Sequence, residues 1–236
     1  WSKDDQAFVD AIVIRTGPHE IAVELAAWAD VPVINALTLH EHPCQAFADV
    51  FTLRETFGRL DGLVVAFVGD GNNVYHSLAL LGAGQGVEVR LAHPRGFDPD
   101  PGVVARATEL AAANGGRLLL GHDPRAVVRG ADVIYTDAWT SMGQEAETER
   151  RNAAFAGFQV DETLCATAGP QARVMHCLPA HRGREISSAV MDGPRSLIFA
   201  QSENRLHVQK GLLVEILGDP ADRAGGPPSK AGPPSG

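Results

Sequence analysis

The stretch from Leu63 to Val74, which reads Leu-Val-Val-Ala-Phe-Val-Gly-Asp-Gly-Asn-Asn-Val, decides the fold. Its first six residues are apolar, as in a strand that is buried on both faces. Gly69 and Gly71 then form a turn, and a helical pattern begins. A strand, a tight turn and a helix in this order are typical of a βαβ unit around a parallel sheet. The turn also directs backbone N–H groups toward an anion.

The same alternation of short apolar runs and longer amphipathic segments continues on both sides of this stretch. The predicted strands are Ala11–Arg15, Val33–Asn35, Leu63–Val68, Val87–Leu91, Leu118–Gly121, Val133–Thr136, Val174–His176 and Leu197–Phe199. The predicted helices are His19–Ala29, Gln45–Phe57, Tyr75–Gly84, Val103–Asn114 and Gln201–Leu217. The sequence therefore predicts an α/β protein with two lobes.

A turn-rich break at Phe57–Gly62 separates these two lobes, because a new βαβ pattern begins after it. We therefore expect a first lobe at 1–57, a second lobe at 58–200 and a C-terminal helix at 201–218. Residues 219–236 contain five Pro and four Gly without a hydrophobic period. Such a segment cannot bury enough surface to offset the entropy of ordering, so we expect a disordered tail.

The composition argues against a nucleic-acid-binding, secreted or membrane protein. The chain of 236 residues carries 20 Lys and Arg against 29 Asp and Glu, a net charge of −9, which disfavours nucleic-acid binding. Three cysteines without a CxxC pair indicate free thiols in a reducing compartment. The sequence has neither a run of about 18 apolar residues nor the pattern of a signal peptide at its start. We therefore expect a cytoplasmic protein.

The segment Gly69–Val74 begins like a dinucleotide-binding fingerprint. Val74 replaces the last glycine of that motif, however, and the next predicted strand ends without the acidic residue that holds a ribose. In the simpler interpretation, Gly69 and Gly71 supply backbone freedom, and Asn72 or Asn73 caps the helix. Two adjacent Asn side chains at this edge also suit an amino-acid ligand.

Two more candidate segments follow predicted strands. In His42-Pro-Cys-Gln45, the imidazole and the amide at a helix start can polarise a carbonyl or hold a phosphate. In Asp137–Gly143, a carboxylate can pair with an ammonium group, and Ser141 can bind a carboxylate. The simpler interpretations are a Pro-initiated helix start and a turn packed by Trp139 and Met142.

The last two candidates lie near the C-terminus. In Val174–Pro179, Cys177 is a candidate nucleophile if His176 or His181 acts as its base. A buried, inert thiol is the simpler interpretation. In the segment Ser202–Arg205, Arg205 either reaches a ligand or lies on a solvated helix face.

Taken together and in this order, these segments resemble the ornithine carbamoyltransferases, from about Asp10 to Leu217. The resemblance implies two α/β lobes, each with a parallel sheet flanked by helices, that bind carbamoyl phosphate and ornithine. It also implies a C-terminal helix packed back on the first lobe, homotrimers or multiples of trimers, and neither metal nor cofactor.

The resemblance also assigns roles to individual residues. Arg15 corresponds to a phosphate contact, His42 and Gln45 to contacts of the carbonyl and amide, and Arg205 to a residue that holds the carbamoyl group. The ornithine contacts implied by the resemblance are Asn73, Asp137, Ser141 and Met142. Cys177 and the backbone of Leu178 correspond to groups around the attacking δ-amine.

The implied reaction is acyl transfer, in which the neutral δ-amine attacks the carbamoyl carbon and phosphate leaves. Activity should then rise with pH until the deprotonation of the amine, or a titration of Cys177, is complete. A linkage between Asp137 and Cys177 in that deprotonation is a hypothesis, which an unchanged pH profile in Cys177→Ser would exclude.

The chain departs from the family in one respect, since it contains no Ser-Thr-Arg-Thr phosphate-binding segment. We expect an incomplete first lobe, and therefore weak binding of carbamoyl phosphate by this stretch alone. Three alternatives stay open: transfer to another amine (acetylornithine, succinylornithine or putrescine), a non-catalytic remnant that binds an amino acid, and a dehydrogenase. The sequence does not distinguish arginine synthesis from the catabolic direction.

Overall fold

The computed structural model describes residues 8–140 and 145–218. The predicted tail at 219–236 lies outside the described residues, as do Ser141 and Met142. Within the described part of the chain, no helix combines the length and the apolar character needed to cross a membrane.

The first lobe contains a two-stranded parallel sheet, formed by β1 (Ile12–Arg15) and β2 (Val33–Leu37). Helix α1 (His19–Trp28) connects the strands, and α2 (Pro43–Phe57) follows them. Helix α2 begins at a proline, whose fixed φ suits the first helical turn. It ends before Gly58, whose φ of 71° lies in the left-handed region that glycine tolerates.

The second lobe contains five parallel strands in the order β5-β4-β3-β6-β7. These strands are β3 (Val64–Val68), β4 (Glu88–Ala92), β5 (Arg117–Gly121), β6 (Val133–Thr136) and β7 (Arg173–His176). The chain leaves β3 in one direction toward β4 and β5 and returns on its other side with β6. This reversal creates a crevice at the carboxyl ends of β3 and β6, where open α/β sheets bind their ligands.

The helices that follow β3 cover both faces of this sheet. They are α3 (Asn73–Gly84), α4 (Pro101–Asn114), α5 (Pro124–Val128), a 3-10 turn (Glu145–Glu147), α6 (Thr148–Ala154), α7 (Glu162–Ala168), α8 (Ser188–Met191) and α9 (Ile198–Leu217). Alternate residues of β3 belong to two hydrophobic clusters, with Val65 and Phe67 in one, and Ala66 and Val68 in the other. Burial on both faces explains why β3 is a continuous apolar run.

Helix α9 packs against α2 of the first lobe, which confirms the expectation for the C-terminal helix. The amide nitrogen of Asn204 donates to Thr52 Oγ1 at 3.0 Å and to Glu55 Oε2 at 2.7 Å. Polar contacts as well as apolar ones therefore join the last helix of the chain to the first lobe.

The predicted strand Leu197–Phe199 is wrong, because α9 begins at Ile198. Leu197 N–H does donate to Val174 O, so one residue extends the edge of the sheet before the chain turns. The buried positions Ile198, Gln201 and Asn204 then recur every three residues, as on one face of a helix. A short apolar run at a helix start cannot be distinguished from a strand by periodicity alone.

The other predicted strands and helices agree with the structure to within two residues at each end, except that α9 begins three residues before the predicted Gln201. The short helices α5 to α8 were not predicted, although three of them carry an N-cap visible in the sequence. Asp123, Asp161 and Ser187 each accept a hydrogen bond from a backbone N–H in the first turn that follows. Their lengths of four to seven residues are too short to show a helical period.

A buried polar network, the Asp49 network, joins the two lobes; its members are Gln45, Asp49, Tyr135 and Gln201. Asp49 Oδ1 accepts from Gln45 Nε2 at 2.8 Å and from Gln201 Nε2 at 2.7 Å. Asp49 Oδ2 accepts from the hydroxyl of Tyr135 at 3.0 Å. Gln201 Oε1 in turn accepts from His176 N–H at 2.9 Å. One carboxylate of α2 thus connects α9 with β6 and β7.

Burial raises the pKa of Asp49 from 3.8 to about 7, against the smaller opposite effect of its hydrogen bonds. The folded protein therefore keeps this proton over a range of pH in which the unfolded chain has released it. As pH rises through that range, the folded state loses stability.

We predict that Asp49→Asn becomes more stable relative to the wild type as pH rises. The variant carries no titrating group at this position, so its advantage should grow by about 3 kcal/mol between pH 5 and pH 8. Urea unfolding of both proteins across this range measures the difference. Thr52→Val, which removes a non-titrating polar group from the same helix, should show a difference that does not change with pH. An Asp49→Asn difference that is equally constant contradicts the prediction.

Candidate active site

A cleft of about 530 Å³ lies at the carboxyl edge of the five-stranded sheet, where the first lobe faces it. Seven of the predicted site residues line this cleft: Arg15, His42, Asn73, Asp137, Cys177, Leu178 and Arg205. Gln45 lies directly behind them, since its amide oxygen accepts from Arg205 Nη1 at 2.8 Å. The predicted contacts Ser141 and Met142 lie outside the described residues. The structure therefore brings together every predicted site residue that it describes.

His42 and two arginines form the end of the cleft nearer the first lobe. His42 directly precedes α2, and its backbone N–H donates to Ser77 Oγ at 2.8 Å. Its Nε2 lies 3.4 Å from Arg205 Nη1. Burial, followed by the charges of Arg205 and Arg15, lowers the pKa of His42 from 6.5 to about 4. The ring is therefore neutral near pH 7, and the positive charge at this end comes from the arginines, which suit a phosphate.

Asp137 organises the opposite end of the cleft. Its Oδ2 accepts from Asn72 Nδ2 at 2.8 Å, and its Oδ1 accepts from Ala138 N–H at 2.7 Å. The thiol of Cys177 also donates to Oδ1, at 2.9 Å. A carboxylate held in this way can bind an ammonium group.

The Cys177 thiol donates a hydrogen bond in this cleft. Burial and the adjacent Asp137 carboxylate raise the pKa of this thiol well above its usual value. A nucleophilic cysteine needs the thiolate, which this environment disfavours. Neither His176 nor His181 acts as its base, because the thiol hydrogen is directed to Asp137. The geometry therefore favours the simpler interpretation of a protonated thiol over that of a nucleophile.

The two asparagines after β3 have different tasks. Asn72 caps α3, because its Oδ1 accepts from Val74 N–H and Tyr75 N–H at 3.1 and 3.2 Å. The Nδ2 of Asn73 instead donates to Thr38 O at 2.7 Å, which connects this turn to the loop after β2. The sequence left open which of the two residues caps the helix, and the structure assigns the cap to Asn72.

Gly71 is required for close packing and not for backbone freedom. A Cβ atom at this position would lie 2.3 Å from the backbone nitrogen of Pro99. The φ angle of Gly71 is not among the positive ones in the chain. The glycine therefore allows the loop before α4 to approach the turn.

Leu178 has an unusual backbone conformation, with a φ of 59° and a cis peptide bond to Pro179. Its N–H donates to His176 Nδ1 at 2.8 Å, so the other ring nitrogen of His176 carries the hydrogen of a neutral ring. That nitrogen, Nε2, lies 3.3 Å from Oε1 of the buried Glu185. The imidazole therefore supports the turn on which Leu178 lines the cleft.

Three side chains of the types that bind metal ions lie close together in the cleft. One potential ligand atom from each of Asp137, His176 and Cys177 lies within 4.8 Å of the others. The ring nitrogens of His176 are engaged by Leu178 and Glu185, and the Cys177 thiol is protonated. Metal binding requires deprotonated, available ligands. A cation would therefore have to replace hydrogen bonds that already organise the cleft.

A second set of contacts, which was not predicted from the sequence, is named the Arg151 clasp; its members are Asp70, Trp139 and Arg151. Arg151 Nη1 donates to Asp70 Oδ2 at 2.6 Å and to Trp139 O at 2.9 Å. Arg151 belongs to α6, whereas Trp139 follows Ala138 in the segment after β6. The clasp therefore joins the described residues on either side of 141–144. Its signal in the sequence was Asp70, a carboxylate in the turn Gly69–Val74 that the cap did not explain.

Comparisons with known proteins agree with this site. The family model described as aspartate/ornithine carbamoyltransferase, Asp/Orn binding domain, matches residues 61–216. The model for the carbamoyl-P binding domain of the same family matches residues 5–55. The two models together cover both sides of the cleft.

Individual relatives carry the same family name. The ornithine carbamoyltransferase of Acidothermus cellulolyticus is 55% identical over 219 residues, which are 93% of this chain and 69% of the relative. The solved ornithine carbamoyltransferase from Pyrococcus furiosus superposes with a TM-score of 0.89 at 48% identity, covering 92% of this chain and 69% of that one. The solved enzyme from Gloeobacter violaceus gives a TM-score of 0.86 at 48% identity, covering 92% and 73%. The resemblance predicted from the sequence is confirmed, and the chain belongs to the aspartate/ornithine carbamoyltransferase family.

Proposed function

We propose that the protein transfers the carbamoyl group of carbamoyl phosphate to the δ-amine of L-ornithine, giving L-citrulline and phosphate. One observation carries this proposal. A single cleft has Arg15, Arg205 and a neutral His42 at one end, and the Asp137 carboxylate with Cys177 at the other. The two ends suit an anionic acyl donor and a cationic amino acid.

Carbamoyl phosphate occupies the end nearer the first lobe in this proposal. Arg15 pairs with the phosphate, and His42 donates a hydrogen bond to the carbonyl oxygen. Gln45 accepts from the carbamoyl amide, and Arg205 helps to hold the carbamoyl group. The support is the contact between Arg205 Nη1 and Gln45 Oε1, which places both groups behind the same part of the cleft.

Ornithine occupies the end that Asp137 organises. Asp137 pairs with the α-ammonium group, and Asn73 binds the α-carboxylate. Ser141 and Met142 complete the ornithine site in the proposal, which for these two residues rests on the sequence resemblance. Cys177 and the backbone of Leu178 lie beside the δ-amine.

The reaction is a nucleophilic acyl substitution. The lone pair of the neutral δ-amine forms a C–N bond with the carbamoyl carbon, and the carbonyl electron pair moves to oxygen. A hydrogen bond from neutral His42 and the charge of Arg205 stabilise this oxyanion. The carbonyl then re-forms, the C–O bond to phosphate breaks, and the proton of the attacking nitrogen leaves with solvent or phosphate. Holding the two substrates side by side supplies much of the remaining acceleration.

The site favours ornithine over the other amines that the sequence left open. An acylated or absent α-amine would leave Asp137 without its cationic partner in a largely buried site, which costs binding energy. The dehydrogenase alternative has little support, because Val74 occupies the position of the last fingerprint glycine and lies within α3. The name ornithine carbamoyltransferase, carried by relatives at 55% and 54% identity, also supports ornithine as the acceptor.

We further propose that the protein works as a homotrimer or a multiple of trimers, in the cytoplasm, in arginine metabolism. For the assembly and the pathway, this proposal rests on the sequence resemblance. Three free thiols, of which Cys44 and Cys165 are buried, support a reducing compartment.

Citrulline formation from carbamoyl phosphate and ornithine tests the proposal directly. We expect turnover with ornithine and little with acetylornithine, succinylornithine or putrescine. The assay should include any longer product of the same reading frame. Absence of turnover with all four amines in every form would favour a non-catalytic amino-acid-binding protein.

We predict that Asp137→Asn raises KM for ornithine by about 10- to 100-fold, because the amide cannot pair with the α-ammonium group. KM for carbamoyl phosphate should change little. Steady-state kinetics with each substrate varied in turn measures both constants. Asp98→Asn, which alters an exposed carboxylate outside the cleft, is the control. An equal rise in both KM values would argue against the assignment of Asp137.

We also predict that the rate at low ornithine concentration rises about tenfold per pH unit near neutrality, because only the neutral δ-amine attacks. Cys177 should not contribute to this rise, since its pKa is raised well above 9.0 and it remains a thiol. Cys177→Ser keeps a donor to Asp137, so the midpoint of the pH profile should not move. A shifted midpoint would support the hypothesis that Asp137 and Cys177 are linked in the deprotonation of the δ-amine.

A further inference from the structure

The orientation of the Gln45 side-chain amide is fixed at both ends. Its Oε1 accepts from Arg205 Nη1 at 2.8 Å, and its Nε2 donates to Asp49 Oδ1 at 2.8 Å. A guanidinium group can only donate hydrogen bonds, and Asp49 Oδ1, which faces two amide N–H groups, accepts them whether or not the other carboxyl oxygen carries a proton. Rotating the amide by 180° would therefore replace two hydrogen bonds with two repulsive contacts.

Asp49 also accepts hydrogen bonds from Gln201 and Tyr135. Gln201 Oε1 accepts from the backbone N–H of His176, a group that can only donate, so Gln201 Nε2 must face Asp49. Tyr135 donates to the other carboxylate oxygen. The fully buried carboxylate thus receives donors from two sides, and the amides of Gln45 and Gln201 have no alternative arrangement within the Asp49 network.

The consequence for the cleft is that Gln45 presents an oxygen and not an N–H group beside Arg205. A carbonyl oxygen has two lone pairs. Arg205 uses one of them, and the second can accept from an N–H group of a bound molecule. A methyl group in the same place would leave this buried oxygen without that bond, which a polar site rejects strongly.

We propose that Asp49 is a positioning residue that gives the site its preference for a carbamoyl group over an acyl group of the same shape. By holding Gln45 Nε2, Asp49 keeps Gln45 Oε1 available to the NH₂ of carbamoyl phosphate, where acetyl phosphate carries CH₃. This inference rests on the proposed function and names the group that enforces its donor specificity.

Two stable probes test the inference: phosphonoacetamide and 2-oxopropylphosphonate. Both carry a phosphonate and a carbonyl, and they differ only in NH₂ against CH₃. Their dissociation constants are measured by calorimetry, and as inhibition constants against carbamoyl phosphate, on the form of the protein that makes citrulline. In the wild type, we expect the amide to bind at least about tenfold more tightly than the ketone.

Asp49→Leu should reduce this preference by about threefold or more, because Gln45 Nε2 loses its acceptor and Arg205 alone then orients the amide. Asp49→Asn should keep the preference, since its Oδ1 still accepts from both glutamines while its NH₂ donates to Tyr135 Oη. Thr52→Val, which removes a buried polar contact between α2 and α9, should also keep it. A purely structural role of Asp49 would weaken both probes equally and leave their ratio unchanged.

In a Gln45→Ala background, Asp49→Leu should cause no further loss of preference, because Asp49 acts through Gln45. If Asp49→Leu does not fold, Asp49→Ala is measured in the same way. If the wild-type preference survives in the Leu or Ala variant, the inference is overturned and the proposed function stays intact. The same holds if the wild type makes citrulline but binds the two probes equally. A wild type that binds neither probe and makes no citrulline overturns the proposed function and this inference with it.

Discussion

The parallel register of β3, β6 and β7 is the constraint on which the site depends. Val68 lies opposite Thr136, and Thr136 lies opposite His176, so the three strands end at the same level. The residues that follow them, far apart in the sequence, therefore emerge together at one edge of the sheet. The hydrogen bonds from Asn72 and Cys177 to Asp137 exist because of this alignment. The sheet topology therefore brings together the side chains at the end of the cleft that Asp137 organises.

The other half of the cleft depends on a helix that returns from the second lobe. Arg205 lies on α9 and approaches His42 and Gln45 at the start of α2. Burial of the Asp49 carboxylate is costly, as its raised pKa shows. An apolar side chain would avoid that cost, but it could not orient two amides. Polar atoms between the helices therefore define the direction of hydrogen bonds near the substrates, which apolar packing cannot do.

Most of the architecture was predictable, because β3 is a continuous apolar run and its neighbour β4 alternates apolar with charged residues, both of which are strand patterns. Leu197–Phe199 failed as a strand, since three apolar residues carry no period of their own. Asp137 and Cys177 were recognisable as site residues, yet the direction of their hydrogen bond depends on burial and was not readable from spacing. Arg151 was missed because a short charged helix looks solvent-exposed in the sequence. Asp49 could have been suspected, since it lies between Ala46 and Leu53 on the buried face of α2.

The Arg151 clasp couples segments that lie far apart in the sequence. Arg151 binds the carbonyl of Trp139, so the chain is anchored immediately before and shortly after residues 140–150. Asp70, from a different part of the sheet edge, holds the same guanidinium in place. One carboxylate after β3 therefore ties Trp139 and α6 to the same turn. Without Asp70, the largely buried guanidinium of Arg151 would lose its nearest anionic partner, so a substitution at that single position would disturb two segments distant from it in the sequence.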